Sequence, residues 1–497
     1  MSADATLREQ REKKLAGLVE LGIDPYGGRF ADVQSAASLR SEADKLNIQA
    51  GQKTEVRARV AGRIVLLREM GKLAFLTIRD EGGAIQLGLS KAELGEQQWA
   101  VLKLLDLGDV LGADGILGRT KTGELTVWTS RLTVLAKSLQ SPPEKWHGLT
   151  DVDLRYRRRY VDLFTNPDVR DVFRQRSRII QAVRDCLISR GYLEVETPAL
   201  QPIYGGAAAR PFTTHHNTLD MKLYLRISPE LYLKRLLVGG LEKVYEINRN
   251  FRNEGISTRH NPEFTMMELY HAYIDYHGIM DLVEELISSL AVEITGGTKI
   301  RFGELELDVA RPWKRTPYRQ LLREHAGTDD PKRLVETAGR LGLDTAGRSE
   351  GAIVNDVYEK LVEPKLTGPL FVIEYPKAIS PLAKQKPDDP TVCERFEMFM
   401  AGMEIANAFT ELNDALDQRE RFVRQLEEKA EGMERLDEDF LTALEHGMPP
   451  AGGLGVGIDR LTILLTGKAS IREVILFPLL RKHAPGEESA GAERPAE

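Results

Sequence analysis

The chain has only two cysteines, Cys186 and Cys393, which stand far apart and show no zinc-type spacing. Neither a disulfide framework nor a cysteine metal site is supported, and a reducing compartment fits. No stretch approaches the roughly 18–20 uninterrupted apolar residues of a membrane span. The opening MSADATLREQREKKL mixes charges of both signs and lacks the apolar core of a secretory signal. A cytoplasmic protein with no membrane part is expected. GxxxxGK[ST] is missing, and so is a GxGxxG set between a strand and a helix, which excludes the common phosphate loops. No internal repeat is found.

What is present is an ordinary globular composition, 42% hydrophobic and 29% charged, in 497 residues. That length exceeds what one hydrophobic core organises, so two domains are expected, one of them large. The net charge of −7 is unevenly spread: residues 1–150 carry 21 Lys/Arg against 19 Asp/Glu, and the remainder is acidic. Lys53, Arg57, Arg59, Arg63, Arg68, Lys72 and Arg79 form a basic stripe opposed only by Glu55 and Glu69. Such a stripe serves nucleic-acid binding or merely solvates the outer face of strands.

Leu7, Leu15, Leu18 and Val19 give residues 5–22 a helical rhythm that Gly22 and Pro25 end, within an N-terminal helical extension over 1–50. From about 55 to 137, short alternating runs separated by glycine-containing turns and interrupted by KAELGEQQWAVLKLL predict five strands and a helix, an OB-type barrel over 51–148. SPPEKWHGL at 141–149 is a linker, and a second domain spans 149–482. Strands and helices there mix without a βαβ repeat, which favours α+β with an antiparallel sheet flanked by helices. A helical insertion is expected near 328–365, and the composition of 483–497 is that of a disordered tail.

Three segments of the second domain set polar groups where a sheet core would be apolar. Period-two alternation puts Glu246, Asn248, Asn250 and Arg252 on one strand face, and Phe264, Met266, Glu268 and Tyr270 on one face of the returning strand. EMFMAGMEIANAFTELND, 397–414, aligns Asn407, Phe409 and Glu411. GGLGVGIDRLTILL, 452–465, is a glycine-rich strand entering a helix with Arg460 at its start, and its glycines admit close approach of a ligand. Together they indicate one large polar cleft.

At these residues the chain resembles a family. The helix and GYLEVETPAL, then FRNEG…RHNPEFT, then GLGVGIDR, are similar in order to the three motifs of class II aminoacyl-tRNA synthetases. GGAAARPF, SPELYLKR, FRNEGISTRHNPEFTMMELY and EIANAFTELND resemble the lysyl-tRNA synthetases in particular. The resemblance runs from residue 5 to about residue 481. It implies activation of lysine with ATP and transfer to the 3′-terminal adenosine of tRNA(Lys). It places ATP against Arg252, Glu254, His260, Asn261, Phe264 and Arg460, with Arg252 and Arg460 acting on the reacting phosphate and the nucleotide. Adenine lies between Phe264 and Arg460 with Glu254 and Asn261 at its edge, while Arg252 holds the lysine carboxylate and α-phosphate and His260 the outer phosphates. Glu397 and Glu404 resemble the carboxylates that bind Mg2+ with ATP. Strict alternation sets Glu404 on the wrong face, so a bulge is needed, with Ala401–Gly402 the expected place.

Lysine brings two ammonium groups and a carboxylate, and an unpaired buried charge is costly, so two protein carboxylates are expected. The resemblance supplies Glu230 for the α-ammonium and Glu411, with the Tyr270 hydroxyl, for the ε-ammonium. Glu268 supports them, and Gly206, Asn407 and Phe409 complete the lysine site. In the barrel, Phe75 and Gln86 match the pair that stacks on and hydrogen-bonds the central anticodon uridine, with Arg68 nearby; Phe75 as a core aromatic is the alternative. A homodimer through 172–200 is implied, using the apolar face of Phe173, Ile180 and Leu187. An aspartyl- or asparaginyl-tRNA synthetase would need basic groups where Glu411 stands. An elongation-factor lysyl transferase would lack the barrel, and a non-catalytic regulator would not need Arg252, Glu254 and Arg460.

Overall fold

The computed structural model describes residues 3–143, 149–428 and 434–481. Most of the 141–149 linker and the expected 483–497 tail lie outside the described residues. The chain divides into two compact units, Met1–Arg155 with Tyr160–Asn166, and Tyr156–Arg159 with Pro167–Glu497.

In the first unit, strands Lys53–Met70, Leu73–Asp80, Gly83–Ser90, Val110–Arg119 and Leu125–Ala136 close into a barrel, the fifth strand lying between the third and fourth. Alternation decides which side chains fill it. Ala74, Leu76 and Ile78 point inward from the second strand and Ile85, Leu87 and Leu89 from the third. The Lys91–Leu104 helix adds Leu94, Trp99, Val101 and Leu102. The helical rhythm read at the N-terminus does form a helix, Ala3–Glu20, but its apolar residues do not form a packed face. Leu18 is buried whereas Leu7 and Val19 are 44% and 56% exposed. Polar contacts hold this helix instead: Arg11 donates to the carbonyls of Ser138 and Leu107 at 2.9 Å each, and Lys14 pairs with Asp106 at 2.6 Å.

The second unit is built on an eight-stranded sheet in the spatial order Lys314–Pro317, Leu370–Ile373, Arg395–Met400, Met403–Thr410, Ala451–Gly457, Glu263–Ala272, Lys243–Phe251, Leu193–Glu194. The five inner pairings are antiparallel, and the two edge pairings are parallel. Tyr245, Met267, Leu269, Phe396, Met398, Ala406, Ala408, Leu454 and Val456 form a core with the helices Pro167–Ile188, Tyr276–Thr295 and Ile458–Thr466. Asp275 caps the second of these, accepting from the backbone of His277 and Gly278 at 3.0 Å. Helices Tyr318–Ala326, Pro331–Arg340 and Glu350–Leu361 fall between two sheet strands and have their own core, in which Tyr318 stacks on Tyr358 at 4.2 Å.

The Pro167–Ile188 helix corrects one reading. Leu187 and Ile180 pack into the unit's own core, and the Phe173 ring lies 5.5 Å from the Arg159 guanidinium. The apolar side chains this stretch leaves exposed are Ile188, Leu193 and Leu200, at 56%, 51% and 49%. A helix with one apolar stripe spends it first on its own sheet.

Leu87 is fully buried in the barrel. Leu87→Ala is expected to cost about 2–5 kcal/mol, read as a lower urea midpoint for the first unit's transition; a change below about 0.5 kcal/mol would mean that Leu87 is not packed.

Candidate active site and nucleic-acid face

Cross-strand pairing fixes what shares the sheet face opposite the main helix layer. Glu246 stands opposite Glu268, Glu268 opposite Gly455, Gly455 opposite Asn407 and Asn407 opposite Glu397. In the neighbouring row Tyr270, Gly453 and Phe409 lie side by side. Leu454 and Val456 go to the core, so the cleft-facing positions of their strand are glycines. At Gly453 the requirement is steric, because a Cβ there would lie 1.8 Å from Glu411 Oε1 and 2.7 Å from Tyr270 Cε1.

At one end of this face the Glu230–Val238 helix presents Glu230 and Lys234 one turn apart. Lys234 Nζ is 2.7 Å from Glu230 Oε1 and 2.5 Å from Glu411 Oε2, and all three residues are buried. Glu411 Oε1 has no hydrogen-bond partner. Glu268, also buried, accepts from Ser228 Oγ at 3.1 and 3.2 Å and from the Tyr270 hydroxyl at 3.4 Å. Two carboxylates thus meet one ammonium, and a third, Glu268, feels the charge of Glu230. Burial opposes the Lys234 charge, but Glu230 and Glu411 outweigh it and raise its pKa. Burial, reinforced by Glu230, pushes the Glu268 carboxyl up to about 8. Gly206 brings its loop onto this end at φ 87, where a Cβ would lie 2.9 Å from Glu230 Cβ.

The other end holds the groups expected around a nucleotide. The Arg252 guanidinium carbon lies 5.1 Å from the Phe264 ring centroid, and its buried Nε has no partner. Burial lowers the Arg252 pKa, while Glu254, Glu404 and Glu268 oppose the shift. Asn261 Nδ2 donates to the Glu263 carbonyl at 2.6 Å, and its buried Oδ1 is unpartnered. His260 Nε2 is 3.1 Å from Arg460 Nη2, and Nδ1 is 2.9 Å from Ser257 Oγ. A guanidinium can only donate, so Nε2 accepts and Nδ1 carries the proton. Burial and Arg460 hold the imidazole below its usual pKa, which keeps it neutral. Arg460 Nη1 donates to the Glu404 carbonyl at 2.8 Å and to its carboxylate at 3.0 Å.

Glu397 and Glu404 do share a face. Met398 pairs with Ala406 and Phe399 with Glu404, leaving Ile405 unpaired. This bulge turns Glu404 onto the Glu397 side. It does not lie at Ala401–Gly402, which form the hairpin turn with φ of 53 and 66, as a two-residue turn demands. The Tyr375 hydroxyl donates to Glu397 at 2.8 Å and Arg395 at 2.7 Å. Burial and Glu404 push Glu397 to about 7.

Five residues of the site were not singled out by sequence: Lys234, Ser228, Tyr375, Arg395 and Asp459. Asp459 fixes the helix that carries Arg460, lying 2.6 Å from Arg176 and accepting from the Thr265 backbone at 2.7 Å. Only Lys234 had a local signal, its spacing of four from Glu230.

Residues 151–481 match the tRNA synthetases class II (D, K and N), and residues 58–135 match the OB-fold nucleic acid binding domain. A lysine–tRNA ligase of Carboxydothermus hydrogenoformans is 53% identical over 480 residues, covering 95% of this chain and 97% of the relative. One of Pelotomaculum thermopropionicum is 54% identical over 487 residues, covering 96% and 95%. One of Staphylococcus haemolyticus is 49% identical over 484 residues, covering 95% and 98%. The chain belongs to the class II lysine–tRNA ligase family.

In this family member the outer face of the barrel carries a row of Arg68, Phe75, Gly88 and Trp128, each paired with the next. Phe75 and Trp128 meet edge to face with ring centroids 6.3 Å apart. Since Ala74 and Leu76 fill the interior, Phe75 is not a core aromatic. Gln86 lies in the neighbouring row opposite Thr77 and Thr126; it is buried, and its amide nitrogen donates to Thr126 Oγ1 at 2.9 Å. The basic stripe does not act as one free surface. Arg59 pairs with Asp114 at 3.0 Å, Arg63 donates to the Gly108 carbonyl at 2.7 Å, and Lys53 lies 4.3 Å over Trp128. Arg57, Arg68 and Lys72 are exposed.

Gly453→Ala is expected to force the Glu411 carboxylate off its position and to destabilise the second unit by roughly 1–3 kcal/mol, the usual cost of overpacking. An unchanged unfolding temperature would mean that the carboxylate has room to move.

Proposed function

We propose that the two ends of the cleft are a lysine pocket and an ATP site, and that the barrel reads the anticodon of tRNA(Lys). The protein activates L-lysine with ATP to lysyl-adenylate and pyrophosphate, then transfers lysine to the 3′-terminal adenosine. The observation that carries this reading is the buried trio Glu230, Glu268 and Glu411, of which Glu230 and Glu411 share a single ammonium. A pocket so short of positive charge suits a dicationic amino acid and repels aspartate. Glu230 receives the α-ammonium and Glu411 Oε1, beside Tyr270, the ε-ammonium. Glu268 supports both, while Gly206, Asn407 and Phe409 shape the walls. Arg252 bridges the lysine carboxylate and the α-phosphate with its planar fork of donors. Phe264 and Arg460 enclose the adenine, Glu254 and Asn261 read its edge, and His260 meets the outer phosphates. The reaction is one of positioning and charge neutralisation, so no side-chain nucleophile is assigned.

Magnesium fits the Glu397 and Glu404 pair, two hard carboxylates on one face, the first held partly protonated by burial and by the second. When bound with ATP, the ion neutralises phosphate charge. In the barrel, Phe75 and Gln86 meet the central uridine, with Arg68 against the backbone. The functional unit is a homodimer in the cytoplasm, joined through 172–200, where Ile188, Leu193 and Leu200 are exposed.

Pyrophosphate exchange into ATP is expected with lysine and not with aspartate or asparagine. Glu411→Gln should raise the KM for lysine by an amount corresponding to about 2–5 kcal/mol, as for one partner of a buried charge pair; an unchanged KM would remove Glu411 from the pocket. Phe75→Ala should spare this exchange while weakening tRNA charging by about 1–3 kcal/mol, and Arg252→Ala should abolish exchange while tRNA still binds. Equal loss of exchange and charging in a folded Phe75→Ala protein would make Phe75 a packing residue.

A further inference from the structure

The proposed lysine pocket contains a buried ammonium of its own, which the reading above does not use. We infer that Lys234 is a built-in counter-ion that sets the pocket's charge and aims Glu411, making it a specificity-determining positioning residue for lysine. The inference rests on that end of the cleft being the lysine pocket.

The argument begins with charge. Glu230 on the same helix, Glu268 on the Glu263–Ala272 strand and Glu411 after the Met403–Thr410 strand contribute three carboxyl groups, burial raising Glu268 and Glu411 each to about 8, and Lys234 pairs with Glu230 and Glu411. One ammonium among three carboxyl groups leaves room for the two ammonium groups of free lysine, whose charge favours the ionised carboxylates. The other groups facing the cluster are the Tyr270 hydroxyl and, acting on Glu268 from farther off, Arg252 and Glu246. Without Lys234 the three carboxyl groups would have no cation in contact with them. Like charges crowded in a buried site retain a proton instead.

Geometry adds a second part. Lys234 Nζ forms an ion pair with Glu411 at Oε2, 2.5 Å away, although neither carboxylate oxygen has a hydrogen-bond partner, and Oε1 lies beside Gly453 and Tyr270. A carboxylate anchored by one oxygen cannot turn away, so the free oxygen is held in place for an incoming ammonium. Lys234 does not compete for that oxygen. It reaches the cluster from a packed helix, its ammonium is 5.5 Å from the Phe409 ring centroid, and its side chain is fully buried.

The test uses the full-length enzyme, with pyrophosphate exchange measured against lysine and against ATP across the neutral range. Lys234→Met is expected to raise the KM for lysine on the order of tenfold or more at neutral pH, with the KM for ATP within about twofold. The sign with pH follows from the trio. Losing the cation raises the carboxyl pKa, so below it the pocket holds an extra proton and binds lysine poorly, and the deficit shrinks as pH rises. Lys234→Arg keeps the charge and should hold the KM for lysine within about threefold, with the wild-type pH profile. A folded Lys234→Met enzyme with the wild-type KM and pH profile overturns the inference, and so does a parallel rise in both KM values. If Lys234→Met does not fold, Lys234→Arg decides alone. A folded Arg variant whose lysine KM rises about tenfold overturns the inference, and one within about threefold upholds it. Wild-type enzyme that exchanges without lysine would instead refute the pocket reading itself.

Discussion

Glu411 is fully buried, and a carboxylate in that position must be compensated within bonding reach. Much of the second unit can be understood as meeting this condition. The ammonium that answers it comes from Lys234, so the Glu230–Val238 helix has to dock closely against the sheet. It does so through Leu231, Leu233 and Leu237, which share a core with Val244, Ala272 and Phe440. The same approach carries Glu230 into the cluster. It also obliges the neighbouring loop to pass as glycine at Gly206 and the adjoining strand to be glycine at Gly453.

The nucleotide end obeys a related rule, with braces in place of a single buried pair. Arg226 pairs with Glu246 at 2.6 Å, Arg176 with Asp459 at 2.6 Å and Arg395 with Glu397 at 2.7 Å. Each brace fixes a strand or helix end next to a group expected to touch substrate. Fixed dipoles and charges of this kind need no reorganisation when charge shifts during reaction. The polar sheet face is balanced by the core on the other side, where Tyr245, Met267, Leu269, Leu454 and Val456 pack.

Contiguous patterns were legible in the sequence. Alternation alone placed Glu246, Asn248 and Asn250 opposite the core side, and the pairing of Glu268, Gly455 and Asn407 follows once three such strands lie side by side. The barrel's five strands and intervening helix were likewise readable from turns and period. What escaped depended on partners distant in sequence. Nothing local marks Lys234 as the mate of Glu411, or Arg176 as the mate of Asp459. The unpaired Ile405 also escaped, because a bulge is a property of two strands and not of one. The N-terminal rhythm gave the helix, and the basic stripe lies in the nucleic-acid-binding barrel, but neither showed which side chains are exposed. Periodicity reports what can face a core, whereas Leu7, Val19, Arg59 and Arg63 show that contacts along the chain decide what does.

The two ends of the cleft differ in where their positive charge comes from, and this follows the ligands assigned to them. At the end proposed for lysine the ligand would itself be cationic, and one internal ammonium, Lys234, stands among the carboxyl groups. At the nucleotide end the ligand is a polyanion. There Glu397 rises to about 7, and Glu363, under burial and the nearby Glu397 and Glu359, rises to about 8. Burial raises those carboxyls just as it raises Glu411 and Glu268 at the other end, each to about 8, so a single cation partner does not hold such a buried group fully charged; Arg395 pairs with Glu397 and Arg460 with Glu404. A cation that arrived with the triphosphate would favour the ionised carboxylates over the protonated ones. In the proposed reading that cation is the magnesium held by Glu397 and Glu404, while Arg252 and Arg460 serve the phosphates and the base.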